Sequence, residues 1–159
     1  MNNFATVQTC AAKSTHAITA NCASTDTVAA VLFDDLKLEA EGSRSNNQHL
    51  WDVRILDVHL TAATRRAFVL NARGHIAAEG GASASARISV GGQTTSREVI
   101  GRAEMRQMAV DVTLHIKRSS QPRDRLRVVL LIEANAPGEA RSTSNSASAA
   151  FDSFDVRAN

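Results

Sequence analysis

Tyrosine is absent from the sequence, and tryptophan occurs once, at Trp51. Sugar platforms are commonly built from exposed tryptophan and tyrosine, so at most one such platform of that kind can exist here. Arg123, Arg125 and Arg127 have no aromatic residue beside them on which bases could stack, which speaks against single-stranded nucleic acid. Cysteine occurs twice, at Cys10 and Cys22, without His or Cys companions at zinc-ligand spacing. A disulfide closing that short loop and a pair of unbonded thiols both fit. No run approaches the roughly 18 apolar residues of a membrane span. The opening "MNNFATVQTC" has no basic leader followed by an apolar stretch. The formal net charge is only +2, so no global field draws the chain to nucleic acid or to an anionic membrane.

Chemical motifs are equally sparse. There is no GxSxG turn for a nucleophilic serine, and the glycine pairs are not followed by a helix and a lysine, as a phosphate loop requires. His16, His49, His59, His75 and His115 show no HxxxH spacing. No catalytic residue and no cofactor is indicated.

What the 159 residues do contain is alternation of period two, the mark of strands with one buried face. In "TVAAVLFDDLKLEAEG", Val28, Ala30, Leu32, Leu36, Leu38 and Ala40 share one parity, and Asp35, Lys37, Glu39 and Glu41 share the other. In "LWDVRILDVHL" the apolar parity switches between Ile55 and Leu56, which predicts a β-bulge there and buries Trp51. "AFVLNARGHIAAEGG" and "ASASARISVGG" alternate on either side of Gly80-Gly81, a hairpin turn, and Gly91-Gly92 ends the second strand. "MAVDVTLHIKR" places Met108, Val110, Val112, Leu114 and Ile116 inward, with Asp111, Thr113, His115 and Lys117 outward. "RLRVVLLIEAN" is apolar on both faces, and "AFDSFDVRA" closes the chain. A helix over "SREVIGRAEMRQM" is weakened by Gly101.

Strands at short spacing, joined by Gly, Pro, Ser and Asn clusters, predict an all-β fold. An antiparallel β-sandwich, jelly-roll or immunoglobulin-like, comes first and a barrel second. Residues 26–159 form the single sandwich domain, and residues 1–25 an N-terminal segment packed on it, closed by Cys10 and Cys22 if they are bonded.

Asp34 and Asp35 are adjacent, so in a strand they point to opposite faces and cannot both chelate one ion. Asp35 and Glu39 share a face but lie about 13 Å apart. These acids read as a solvated strand face, with Asp34 and Asp152 as the candidates for a calcium site completed by loop oxygens. Charge is nonetheless uneven. Residues 26–57 carry seven acids and three bases, and residues 97–127 carry eight bases and four acids. Asp35, Glu39 and Glu41 on one side and Arg123, Arg125 and Arg127 on the other could meet head to tail between copies.

The blocks "NCASTDTVAAVLFDDLKLEAEG", "RSNNQHLWDVRI", "FVLNARGHIAAEGGASASARISVGG", "RVVLLIEAN" and "AAFDSFDV" resemble successive strands of a secreted bacterial and fungal family, domain of unknown function 4360. The resemblance spans about residues 20–156. It implies a β-rich secreted protein, extracellular or periplasmic with its signal absent from this chain, and it supplies no catalytic residues. Where that family's pattern has a cysteine, "RSNNQHL" has Asn47 or a neighbour, and "FDVRAN" lacks a closing cysteine. Cys10 with Cys22 is then the one intrachain pair available.

The sequence therefore predicts a non-catalytic protein acting by contact, as a surface, matrix or self-associating structural protein, with itself or another protein as partner. A carbohydrate-binding module is the alternative, with polysaccharide as partner, and an enzyme with a concealed site is third. Exposure of Trp51 would favour the carbohydrate reading, an unpaired apolar edge strand self-association, and a cleft of converging carboxylates or histidines the enzyme.

Overall fold

A computed structural model describes residues 5–12, 21–25, 30–44, 46–60, 68–117, 125–138 and 145–158. These residues form β1 (Ala5–Ala12), β2 (Asn21–Thr25), β3 (Ala30–Leu32), β4 (Lys37–Gly42), β5 (Gln48–Leu60), β6 (Phe68–Glu79), β7 (Ser83–Val90), β8 (Gln93–Ile100), β9 (Arg106–Ile116), β10 (Arg125–Ala136) and β11 (Asn145–Ala158). Two antiparallel sheets pack together as a β-sandwich, and no closed barrel forms. The first sheet has the order β2-β1-β5-β10-β7-β8. The second has the order β3-β11-β6-β9, with β4 also paired to β11. No helix among the described residues is long and apolar enough to cross a membrane.

The core is filled by the apolar residues that the alternation selects, even-numbered in most strands and odd-numbered at Val99 of β8 and at Ala147, Ala149 and Phe151 of β11. Leu130, Ile132, Ala86 and Ile88 of the first sheet face Leu70, Ile76, Val110 and Val112 of the second, and all are buried. Val129 and Leu131, on the other face of β10, are only half-buried. The small residues Ala82, Ala84 and Ala86 are fully inside, where they meet the facing layer closely. Gly80 has φ of 64° and Gly91 has φ of 58°, the left-handed values that their hairpin turns need and that glycine adopts without strain.

Several expectations fail for identifiable reasons. No bulge lies between Ile55 and Leu56, because β5 pairs without a register shift with both β1 and β10. The shift occurs in β11 between Phe151 and Ser153. Phe151 and Phe154 are an odd number apart, so a regular strand would send them to opposite faces; the extra residue at Asp152 lets both reach the core.

The partner chain segment breaks at the same level. The stretch read as one strand is two, β3 and β4, interrupted at Phe33–Leu36, and Leu32 points out rather than in. Phe33 N donates to Asp152 O at 2.9 Å, and Phe151 N donates to Leu36 O at 3.1 Å, so bend and bulge are stitched together. Val28 lies outside the described residues.

The expected helix over 96–108 is instead β8, a turn and the start of β9. Gly101 N donates to Ala82 O at 2.8 Å and Arg102 O accepts from Gly80 N at 2.7 Å, which ties this turn to the β6–β7 hairpin. Met108 has inward parity but is exposed, since the sandwich does not cover that end of β9.

β1 and β2 form one edge of the first sheet, and their register sets Cys10 directly opposite Cys22. Opposed antiparallel residues have Cα atoms about 4.5–5.5 Å apart, within the span a disulfide bridges.

Gly74 lies opposite Phe151 at the bulge, and a Cβ there would overlap the carbonyl oxygen of Ala150. Gly74→Ala is therefore expected to cost about 3 kcal/mol in denaturant unfolding. Gly92→Ala, which meets nothing within 4 Å, should stay within about 0.5 kcal/mol of the parent.

Candidate binding face around Trp51

β5 carries charge on the side where apolar residues are expected. Asp52, Arg54, Leu56 and Val58 are buried, while Trp51 is 43% exposed and Val53 and Ile55 are half-exposed. The expected inward Trp51 is thus outward. The cause is visible across the sandwich: Arg54 Nη2 donates to Asp35 Oδ1 at 2.9 Å, with the Arg54 side chain 8% and Asp35 50% exposed. The guanidinium also lies 5.8 Å from the centroid of the Phe33 ring. Arg54 belongs to the first sheet, and Asp35 and Phe33 to the β3–β4 bend of the second. Arg54 shares the even parity of Leu56 and Val58, which are fully buried, and this contact lets the charged half of the strand follow them inward, so Trp51, Val53 and Ile55 face out.

The outer face of the first sheet can be read as cross-strand rows. Trp51 pairs with Glu133, Glu133 with Ser85, and Ser85 with Glu98. The adjacent row is His49, Asn135, Ser83 and Ile100, and the next on the other side is Val53, Leu131, Arg87 and Ser96. Directly opposed side chains begin about 5 Å apart, so each row is a contiguous strip. Ser89 and Thr94 confirm the shared face by a hydroxyl contact of 3.0 Å further along the same two strands.

The first two rows enclose a shallow cleft of about 120 Å³, lined by His49, Ser83, Ala84, Ser85, Glu98, Glu133 and Asn135. Trp51 lies directly opposite Glu133 on the neighbouring strand. Among the described residues, no hydrogen bond or ion pair engages the carboxylates of Glu98 and Glu133. Glu98 is exposed and Glu133 half-exposed, so the cleft is open to water. Solvated acceptors beside an indole plane suit the hydroxyl groups and the apolar ring face of a sugar.

The residues singled out from sequence are dispersed. Asp34 is exposed in the β3–β4 bend, and Asp152 sits in the β11 bulge with its Oδ2 3.6 Å from His75 Nδ1. No group of three or more His, Cys, Asp or Glu that could hold a metal occurs among the described residues. Glu39 and Glu41 are exposed on β4, and Asp35 is engaged by Arg54. Arg127 Nε donates to Asp57 Oδ1 at 3.3 Å on the outer face of the first sheet. Arg123 and His16, and the side chains of Arg125, His59, Cys10 and Cys22, lie outside what the structure describes. His75 and His115 are exposed, as their parity predicts. His49, Glu98, Glu133 and Asn135 were not selected from sequence. His49 shares the parity of Trp51, which is expected inside, Glu98 falls in the stretch weighed as a helix, and the assembly of all four depends on a strand order that alternation does not encode.

No family model matches this chain, and no curated protein matches it. A solved structure of TmCBM61 in complex with β-1,4-galactotriose overlaps it with a TM-score of 0.33 at 14% identity, covering 82% of this chain and 87% of that one. An overlap this loose carries no argument about either fold or ligand.

The cross-sheet contact is open to measurement. Arg54→Ala is expected to cost about 2 kcal/mol and Asp35→Asn about 1 kcal/mol in denaturant unfolding. A double-mutant cycle should return a coupling of about 1 kcal/mol; additive losses would mean that the pair does not act as a unit.

Proposed function

We propose that this protein is a non-catalytic, carbohydrate-binding β-sandwich that holds a polysaccharide on the outer face of its six-stranded sheet. The observation that carries this reading is the exposed indole of Trp51 in one cross-strand row with Glu133, Ser85 and Glu98. The indole offers a stacking plane, and the carboxylates, Asn135 and His49 offer hydroxyl partners around it. Such a ligand fits an extracellular or periplasmic setting, in keeping with the secreted family that the strand blocks resemble.

Trp51 also supplies the assay, since a chain with one tryptophan and no tyrosine reports on this site alone. Titration with soluble oligosaccharides should shift or quench its emission saturably, and Trp51→Ala should weaken binding at least 10-fold in affinity electrophoresis. Binding indifferent to Trp51→Ala would remove this face from consideration. The oligosaccharide should be recovered uncleaved.

The second reading, a contact protein that associates with itself, is favoured by a different observation. Leu32 is 84% exposed on the three-residue edge strand β3, beside the acids of β4, while Ile100, Met105 and Met108 are exposed around the β8–β9 connection with Arg97, Arg102 and Arg106. Light scattering across concentration separates the two. A self-associating chain gains mass above 17.0 kDa with concentration and loses that gain in Leu32→Glu; the carbohydrate reading needs only the monomer.

A further inference from the structure

We infer that the preferred ligand is a glycan bearing free amino groups, a deacetylated hexosamine polymer rather than a neutral or a uronic one. This rests on the carbohydrate reading and names the chemistry of its second subsite, the cleft next to the indole.

The cleft lies between two carboxylates. Glu133 and Glu98 flank Ser85 on its two neighbouring strands. Strands are spaced about 4.8 Å apart, so the two backbones are separated by roughly 10 Å, and two side chains of glutamate length can converge above the serine. Glu98, Glu133, Ser85, Ser83 and Asn135 all present acceptor oxygens to the same space. No lysine or arginine lines it, and His49 is its one ring base.

A primary ammonium has three donors and a compact charge, which matches three converging acceptors. An acetamido group would bring a methyl against the carboxylates, and a uronate would bring like charge. Trp51 lies directly opposite Glu133, so a ring stacked on the indole would bring its amino substituent to the cleft.

A competing cation on the same face is Arg87, two residues beyond Ser85 on β7 and opposite Leu131 and Ser96. It is exposed. The whole chain is cationic at +2, so attraction of a polycation cannot come from net charge and must be local.

The test is a Trp51 emission titration of the full chain at physiological salt with four hexamers of matched length: glucosamine, N-acetylglucosamine, glucose and galacturonic acid. The glucosamine hexamer is expected to bind at least 10-fold tighter than the other three. Glu98→Gln with Glu133→Gln should abolish that preference while retaining the weaker neutral binding. Arg87→Gln should strengthen glucosamine binding. Glu39→Gln with Glu41→Gln, on the opposite sheet, should change nothing. A preference for the neutral or acetylated hexamer that Trp51→Ala removes would overturn the amine inference and leave the carbohydrate reading standing. Equal loss in the Glu39/Glu41 variant would overturn it too, by exposing unspecific attraction. Failure of all four hexamers, and of polysaccharides in affinity electrophoresis, would overturn the carbohydrate reading itself.

Discussion

The contact between Arg54 and Asp35 lets the charged half of β5 follow Leu56 and Val58 to the inside. A strand in a sandwich has two faces and no intermediate setting: a slip of one residue exchanges them completely. β5 offers Trp51, Val53 and Ile55 on one parity and Asp52, Arg54 and Leu56 on the other, so burial of apolar area alone favours the first set through that half of the strand. The chain takes the second. Arg54 stretches across the gap between the sheets, ends on Asp35 at 2.9 Å, and covers Phe33. Because Asp35 is half in water, the pair avoids the full cost of isolating two charges, and the stem of Arg54 still fills the interior. Everything on the outer face of the first sheet depends on that outcome.

The same reasoning explains the irregular part of the second sheet. The β3–β4 bend that delivers Asp35 and Phe33 exists because β11 is bulged at Asp152, and the bulge exists so that Phe151 and Phe154 can both be buried. Gly74, opposite the bulge, leaves the room that the displaced backbone takes. Two large aromatic side chains in β11 thus reach, through bulge, bend and ion pair, to the orientation of Trp51 on the other sheet.

This chain of dependence marks how far the sequence could be read. Strands whose parity is uniform, such as Ala82 to Val90 and Val110 to Ile116, were legible because one face is apolar and the other polar. The switch at Ile55–Leu56 is equally visible, but the rule that apolar residues go inside assigns it to a bulge. The alternative, buried charge held by a partner, needs Asp35, which lies 19 residues away in the sequence. The odd spacing of Phe151 and Phe154 was a local signal for the real bulge. The site itself was beyond reach, since Trp51, Ser85, Glu98 and Glu133 come from four strands whose neighbours are fixed by topology.

The two outer faces of the sandwich also differ in what they can hold. That of the second sheet has a groove of about 220 Å³ floored by Ala77, Ser146 and Ser148, between Glu39 and Glu41 on one side and Met105 on the other. It has no aromatic plane, so a sugar ring laid there would gain little beyond hydrogen bonds traded against water. The face with Trp51 has one plane and a polar cleft, which suits weak binding of a single sugar unit. One aromatic contact of this kind supplies roughly 1 kcal/mol beyond the area it covers, so a single copy of the site binds weakly. Leu32 on one edge and Ile100, Met105 and Met108 near the other are the exposed apolar residues on which the self-association reading rests. Arrayed copies would raise avidity by effective concentration alone, without any new contact to sugar.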